Sequence, residues 1–542
     1  MKFINLLNKK VISLFVFFLI FAVGISIYKD YGVSIDDQIY LTNGQYYYHY
    51  IKNLFVEVDE AYLNSLEMLN RQLGGEDIII HPVVFEVPLV ALINLLGIKE
   101  SHKIFEFSHL INFLVFYSSL YFFYKLIIKR FRSYKFGLIG ILLLFLSPRI
   151  FAESFYNSRD IFFLSLFIFN MYSSFIFIRS PNYKNSLFFS LTSALLIDAK
   201  IVGLISPALV FFLIFFKSLN NNEFLKRNYK YFINIFFMTI SFIILFWPYL
   251  WSNPIKNIFF AFTDIVKEQN SLVILQLYLG DYILSSSSPW HYRPLWFFIT
   301  TPVIVLFLFV IGATFMSSRI TNRIIKFDER IENDLWKSDY ELYDLYCLII
   351  IISSFLITIL FNSSQFGGWR HLYYIYPSVI IVAIYGYYRL IHFIKKFTIK
   401  LLVLILIFLN SIYLVYWSIK FHPFQNVYFN FIAKKYATNN FDLDYWGLSH
   451  KFSLEYIIKN NDNFPIKIGT ASFSNLETSR LMLNQLDKNK IIIVHDLEEA
   501  DFIITNYMRK IDKNFNIDKN QYEKYYEIII ENKSINTVYK KI

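Results

Sequence analysis

Cysteine, charged residues and glycine-rich motifs are all scarce in this chain. Cys347 is the single cysteine among 542 residues, so no disulfide can form within the chain and cysteine gives no indication of the redox compartment. The sequence contains no glycine-rich phosphate loop, no internal repeat and no Cys/His spacing typical of a metal site. Soluble nucleotide binding therefore has no support in the sequence.

Charge is also missing from stretches long enough to cross a membrane. Hydrophobic residues make up 56% of the chain and aromatic residues 20%, and many apolar runs approach the roughly 20 residues that a bilayer requires. Residues 11–28 and 231–247 contain no charged side chain. Residues 11–28 lack a small-residue cleavage site, which favours an uncleaved anchor over a signal peptide. The sequence predicts a polytopic α-helical membrane protein.

The basic residues indicate a topology, because Lys and Arg are retained in cytoplasmic loops. Besides the N-terminus, they cluster at about 125–135, 179–184, 217–230, 319–337 and 389–400. Placing these six clusters on one side predicts a cytoplasmic N-terminus, an outside C-terminus and eleven spans in the inner (plasma) membrane. The net charge of +11 then reflects membrane orientation, and we expect no nucleic-acid partner. The spans are predicted at about 11–28, 104–127, 136–150, 160–178, 186–197, 201–217, 231–250, 294–316, 343–361, 373–393 and 401–419.

Residues 81–98 are apolar but are not counted as a span. A twelfth crossing would move every later basic cluster to the opposite side, and Glu86 and Pro88 favour a helix on the outer membrane surface. Residues 1–421 are thus predicted to form the membrane domain, with 29–103 as its first outside loop.

Residues 422–542 lose the membrane composition and are predicted to form a soluble outside domain. An amphipathic helical pattern covers residues 448–458. Short β-rich runs follow at 466–469, 491–494, 501–505 and 525–530. These patterns predict a small α/β or α+β fold.

Ionisable residues gather in the loops predicted to lie outside, where they are costly unless they pair or function. Asp36 and Asp37 are adjacent in the first loop, with a solvated acidic loop as the alternative interpretation. Arg149 and Arg159 could anchor helix ends instead of binding a ligand, and Asp160 could be a helix cap.

Two further groups have similarly plain alternatives. Lys200 follows Asp198 closely, so an ion pair between them is the alternative to a ligand contact. Trp290, His291 and Arg293 could form an aromatic belt with a snorkelling arginine.

Several longer motifs occur together along the chain. They are SIDDQIY (34–40), His81-Pro82, SPRIFAESFYNSRD (147–160), LLIDAKIVGL (195–204), PWHYRPLWFFITTP (289–302), QFGGWRHLYYIYP (365–377), HPFQNVYFN (422–430) and DYWGLSHKFSLEYI (444–457). In this combination the chain resembles the bacterial branch of the protein O-mannosyltransferase-like group, glycosyltransferase family 39, of GT-C type. Two positions depart from the family pattern: Asp37 stands where the family has Glu, and Val83-Val84 where Pro-Leu is common.

The resemblance implies transfer of a hexose or pentose from a polyprenyl-phosphate donor to an acceptor hydroxyl, with inversion. It implies Asp36 as general base, Asp37 as its modulating neighbour, and Asp160 as a carboxylate that positions acceptor or sugar. Basic side chains would stabilise the departing phosphate. The expected substrate-binding residues are His81, Arg149, Arg159, Lys200, His291, Arg293, Arg370 and His371.

The resemblance also sets the expected partners. They are the lipid bilayer, the lipid-linked sugar donor, and an acceptor that is a protein, a lipid or a glycan. Adjacent carboxylates could hold a divalent ion, but relatives imply that metal is dispensable, so neither metal nor cofactor is expected. The alternative function is a transporter or flippase of lipid-linked sugars, a class in which internal repeats and broken helices are typical.

Overall fold

The computed structural model describes residues 2–57, 59–74, 79–219, 222–271, 273–325, 336–361, 364–509, 517–518 and 520–542. These residues are mostly helical, and nine of their helices are long and apolar enough to cross a membrane. The nine helices are Lys9–Ile27, Ser101–Phe131, Asp160–Arg179, Ile201–Ser218, Glu223–Phe246, Val303–Arg323, Asp339–Leu360, Arg370–Phe393 and Phe397–Lys420. The composition and these helices are those of a membrane-embedded chain.

Two of the eleven predicted spans differ from this set. The segment predicted at 136–150 consists of two helices, Tyr134–Phe145 and Pro148–Tyr156, which meet at an angle of 69°. Pro148 favours this break because its ring disfavours a helical conformation at the preceding residue. The segment predicted at 186–197 is the helix Tyr183–Ala199, whose 17 residues include several serines and Asp198. The described residues therefore contain nine candidate spans, or ten if the bent pair counts as one.

Two glycines allow a close crossing of helices in this bundle. A Cβ atom on Gly312 would lie 1.9 Å from the carbonyl oxygen of Val382, and one on Gly386 would lie 2.1 Å from that of Leu308. Any larger residue would push apart the helices Val303–Arg323 and Arg370–Phe393. Small residues at such contacts are typical of helix packing in membranes.

The start of helix Asp339–Leu360 gathers cations from several helices. Asp344 is fully buried and binds Arg130 at 2.5 Å and Arg319 at 3.2 Å. Lys217 lies 3.0 Å from Asp339, and Arg323 lies 2.6 Å from Glu341. Three of the predicted basic clusters, 125–135, 217–230 and 319–337, thus meet at one end of the bundle.

Residues 81–98 contain the helix Glu86–Leu95, whose ten residues are too short for a crossing. Leu89, Val90 and Ile93 are buried on one face of this helix. The first loop also contains the helices Asp37–Asn53 and Glu60–Gly74, which the sequence analysis does not predict.

The later loops and the tail contain the remaining regular structure. Outside the tail there are the helices Pro254–Ser271 and Tyr292–Thr300 and the antiparallel hairpin of β1 (Leu275–Tyr278) and β2 (Asp281–Leu284). The tail helices are Ser449–Lys459, Leu476–Arg480 and Gln485–Lys488. The tail strands are β3 (Ile466–Thr470), β4 (Ile491–Ile493), β5 (Phe502–Thr505), β6 (Tyr522–Ile530) and β7 (Lys533–Lys541).

The tail strands form one mixed sheet in the order β4-β3-β5-β7-β6. β3 runs parallel to β4 and β5, whereas β7 runs antiparallel to β5 and β6. Leu454 and Ile457 of helix Ser449–Lys459 pack with Ile468 and Phe502 of the sheet. The helix and four of the strands lie where the sequence predicts them. β7 is not predicted, because Lys, Ser, Asn and Thr residues interrupt its apolar residues and leave no continuous β-rich run.

Candidate functional site

Asp36 lies in an ion cluster built from distant parts of the chain. Its carboxylate Oδ2 is 3.5 Å from Nη1 of Arg370, and the same nitrogen is 3.2 Å from Oδ2 of Asp160. Lys200 forms an ion pair with the other carboxylate oxygen of Asp160. Asp36, Asp160, Lys200 and Arg370 are called the Asp36 cluster below. Each is a residue that the sequence analysis selects.

Asp160 is the buried centre of the Asp36 cluster. It is the first residue of its helix, and its backbone N–H donates to Oδ1 of Asn157 at 2.8 Å. The carboxylate contacts Lys200 and Arg370, so it does more than cap a helix. The alternative ion pair of Lys200 with Asp198 is wrong, because the Lys200 ammonium contacts Asp160 instead.

Asp36 is the more accessible carboxylate of the cluster. Its side chain is 27% exposed, against 1% for Asp160. Asp160 is balanced by two cations, whereas Asp36 has one contact at 3.5 Å. Burial of its surroundings raises the pKa of Asp36, and the nearby Arg370 opposes that rise. A carboxylate with these properties can accept a proton from a group that enters from solvent.

Arg370 is held by aromatic rings as well as by carboxylates. Its guanidinium lies 4.6 Å from the ring centre of Trp446, and its Nη2 donates to the hydroxyl of Tyr445 at 3.4 Å. Gly367 adopts a left-handed φ of 63°, and a Cβ there would lie 2.7 Å from Nε of Arg370. Tyr445 and Trp446 belong to a motif that the sequence analysis quotes but does not assign to the site.

Arg159 joins the first loop to the segment that carries Asp160. Its guanidinium lies 4.0 Å from the ring centre of Tyr40, and its Nη1 donates to the carbonyl of Pro82 at 3.3 Å. The buried carboxylate of Glu86 is 3.9 Å from the same nitrogen. Tyr40 and Glu86 are absent from the predicted site, although the His81-Pro82 motif marks this region. His81 itself is half-buried beside Pro82.

Asp37 is buried and closes a turn. Its Oδ2 accepts a hydrogen bond from the backbone N–H of Ser34 at 3.2 Å, and its own N–H donates to the carbonyl of Ser34 at 3.2 Å. Burial raises the pKa of Asp37 to about 8. The geometry therefore gives Asp37 a part in holding Asp36 in place, and its shorter side chain fits this turn.

The raised pKa of Asp37 predicts a pH-dependent stability. An unfolded aspartate has a pKa of about 3.9, so between about pH 4 and pH 8 the folded state holds a proton that the unfolded state has lost. Stability that is fully present below about pH 4 is therefore lost as pH rises through about 8. Asp37→Asn is expected to raise the apparent melting temperature more at pH 8.5 than at pH 5.

The measurement is thermal unfolding of the detergent-solubilised protein at a series of pH values. Asp59→Asn is a matched control, because Asp59 is an exposed acid of the same loop. The control variant should melt with the wild-type protein at every pH. An equal shift of Asp37→Asn at pH 5 and pH 8.5 would contradict the burial argument.

Arg149 lies near the cluster but not in it. Its Nε donates to the carbonyl of Tyr428 at 3.1 Å, and its guanidinium lies 5.1 Å from the ring centre of Trp296. Arg149 lines a cavity of about 20 Å³ together with Glu153 and Tyr445. That volume holds a water molecule and no sugar. Tyr445 also contacts Arg370, so this small cavity adjoins the Asp36 cluster.

The other predicted binding residues have direct partners outside the cluster, although Arg293 and His371 also interact electrostatically with Asp160. Nδ1 of His291 is 2.6 Å from the hydroxyl of Tyr278. Arg293 is buried, and its Nη2 donates weakly to the carbonyl of Ser364 at 3.5 Å. The ring of His371 stands 5.1 Å from that of Phe366. The alternative interpretation of Trp290, His291 and Arg293 is an exposed aromatic belt. Of these three side chains, only Trp290 is exposed, at 65%.

Among the residues that the structure describes, no group of three or more His, Cys, Asp and Glu side chains is placed to hold a metal ion. Comparison of the chain with protein-family models and with curated proteins gives no match. Fold and site define a class: a mostly helical chain with membrane-length apolar helices, a small sheet in the tail, and an ion cluster built from Asp36, Asp160, Lys200 and Arg370.

Proposed function

We propose that the chain is an integral-membrane glycosyltransferase that moves a sugar from a polyprenyl-phosphate carrier to an acceptor hydroxyl. The observation that carries this proposal is Asp36, a partly exposed carboxylate within 3.5 Å of Arg370 and beside the Asp160–Lys200 pair. The motif resemblance supplies the donor class. The site's geometry supports a reaction that needs a base and cations side by side.

Asp36 acts as the base in this reaction. It takes the proton from the acceptor hydroxyl as that oxygen bonds to the anomeric carbon of the sugar. The bond from the anomeric carbon to the phosphate oxygen breaks, and the phosphate leaves with the electron pair. One displacement inverts the configuration at that carbon. Positioned proton transfer typically contributes about 10² to 10⁴ in rate.

The cations of the cluster stabilise the negative charge that develops on the phosphate. Arg370 and Lys200 are fixed by Asp160, so they need no rearrangement as the charge appears. Asp160 keeps the two cations beside Asp36 instead of acting as a second base. Arg370 also opposes the rise that burial causes in the pKa of Asp36, and so favours the ionised form that the reaction requires.

The experiment that tests this proposal uses the purified full chain in vesicles with a polyprenyl-phosphate sugar labelled in the sugar. Cell-envelope material of the source cell, added outside, provides the acceptor. The proposal predicts that label leaves the lipid and appears on envelope material. A flippase would move labelled lipid between leaflets and leave the sugar attached, and that result would reject the proposal.

The proposed orientation places the basic end of the bundle in the cytoplasm and the Asp36 cluster with the tail outside. The meeting of three basic clusters at helix Asp339–Leu360 supports this arrangement. The basic cluster 179–184 lies on the same side as the clusters 125–135 and 217–230 only if the bent pair and helix Tyr183–Ala199 both cross, which gives eleven crossings.

Cysteine labelling in intact cells measures this orientation. The single native cysteine, Cys347, is buried and gives a low background. Asp462→Cys in the tail is expected to react with a membrane-impermeant maleimide, and Lys226→Cys only after the cells are opened. Labelling of Lys226→Cys in intact cells would overturn the proposed topology.

A further inference from the structure

A groove lies between the tail sheet and the β1–β2 hairpin. It encloses about 450 Å³, within the roughly 300–1,000 Å³ of typical ligand sites. Leu277 and Tyr282 of the hairpin form one wall, Asn439 and Asp442 form the floor, and Tyr507 belongs to the opposite wall. The sequence analysis and the mechanism above assign nothing to this groove.

The walls combine flat rings with hydrogen-bonding groups. The rings of Tyr282 and Tyr507 are 37% and 43% exposed. Tyr507 has a left-handed φ of 66°, which is uncommon for a residue with a side chain. Its hydroxyl is 2.9 Å from that of Ser534, which holds the ring in place. Exposed tyrosines beside amide, hydroxyl and carboxylate groups suit the apolar faces and hydroxyls of sugars.

The groove is connected to the Asp36 cluster through its floor. Asp442 and Leu443 line both the groove and the small cavity beside Arg149. Tyr445 follows two residues after Leu443 and contacts Arg370. Three residues of chain span roughly 11 Å at most, so the floor of the groove ends close to the base and cations.

From this juxtaposition we propose that the groove binds the acceptor, and that the acceptor is a glycan that presents a hydroxyl towards Asp36. The inference rests on the proposed function for its reaction, but binding in the groove is a separate property. The tail domain then selects the acceptor, while the membrane domain binds the donor.

A peptide acceptor is less well suited to these walls. Peptides commonly bind by adding a strand to an open sheet edge. On the side of β1 that faces residues 440–442, the N–H of Leu277 already donates to Oδ2 of Asp442 at 3.0 Å. In the turn after β1, the N–H of Gly280 donates to the carbonyl of Asn440 at 3.4 Å. Side-chain rings and polar groups remain for recognition, which favours a carbohydrate.

The test measures binding by the full chain in nanodiscs without donor. The probe is the oligosaccharide fraction released from the cell envelope by mild acid, and retained material is quantified by mass spectrometry. The double variant Tyr282→Ala/Tyr507→Ala removes both rings, and Asn439→Trp fills the groove while leaving both rings in place. Tyr436→Ala is the matched control, because Tyr436 is 67% exposed and lies outside the groove.

Wild type, Tyr436→Ala and Asp36→Asn are expected to retain the oligosaccharide equally, and both groove variants at least tenfold less. Equal retention by Asn439→Trp, or no retention by wild type, overturns the proposal. A tryptic digest of envelope proteins is tested in the same way. If the groove retains these peptides and not the oligosaccharide, the proposal is overturned in favour of a peptide acceptor. A separate measurement tests the proposed function. If Asp36→Asn transfers sugar at the wild-type rate while oligosaccharide binding is intact, the proposed function fails and the groove proposal stands.

Discussion

Asp36→Asn is expected to lower the rate of sugar transfer by about 10² to 10⁴, because it removes the proposed base and keeps the size of the side chain. The variant retains an oxygen that can accept a hydrogen bond from Arg370, so binding of donor and acceptor should change little. The measurement is the initial rate of label transfer by purified protein at saturating donor. The loss should appear in kcat more than in KM.

The wild-type rate should also fall as pH decreases through the raised pKa of Asp36, above the ordinary range of an aspartate. Protonation blocks the base, so the acid side of the pH profile reports this group. Asp59→Asn, an exposed acid of the same loop, serves as control and should transfer sugar at the wild-type rate. A similar loss in both aspartate variants would point to the charge of the loop instead of to a base.

Asp160→Ala is expected to cost about 3–5 kcal/mol of stability and to abolish transfer. It leaves Lys200 without its carboxylate partner, and it leaves Arg370 with the longer 3.5 Å contact to Asp36. The measurement is thermal unfolding in detergent together with the transfer rate per folded molecule. The double variant Asp160→Ala/Lys200→Met also removes the positive charge of Lys200, which Asp160→Ala alone leaves uncompensated. The double variant should recover part of the stability and none of the transfer.

Asp344→Ala is the matched control for this prediction. Asp344 is a buried carboxylate that binds two arginines, Arg130 and Arg319, near the N-terminal end of helix Asp339–Leu360. Its removal should destabilise the protein to a comparable extent and leave the folded fraction active. Full activity in folded Asp160→Ala would show that Asp160 has a structural role alone.

Helical spans could be predicted because they depend on apolar length, a local property. The bend before Pro148 and the polar character of helix Tyr183–Ala199 could not be predicted in the same way. A broken or serine-rich helix is stabilised by neighbouring helices, which a sequence does not reveal. The tail strands were predicted where β-branched residues run together. β7 was missed because its place in the sheet depends on pairing with β5 and β6.

The sequence identifies the residues of the Asp36 cluster as site candidates, but it does not show which of them form ion pairs with each other. Asp36, Asp160, Lys200 and Arg370 stood out because charged residues are scarce near apolar runs. Lys200 contacts Asp160, which is 40 residues away in the sequence, and not its near neighbour Asp198. Sequence spacing gives no access to such a contact.

The aromatic partners were hidden by composition. With 61 phenylalanines and 41 tyrosines in the chain, aromatic character alone does not separate Tyr40, Tyr445 or Trp446 from ordinary packing residues, although all three belong to quoted motifs. Their positions over Arg159 and Arg370 appear only in the fold.

The most direct test of the central claim uses a polyprenyl-phosphate sugar that carries one label in the sugar and another in the phosphate. Purified chain is mixed with this donor and envelope acceptor, and both labels are followed through one turnover. The sugar label is expected to move to the acceptor while the phosphate label stays on the lipid. Asp36→Asn is expected to separate the two labels about 10² to 10⁴ times more slowly than the wild type. Joint movement of both labels, or separation by Asp36→Asn at the wild-type rate, would contradict the proposed function.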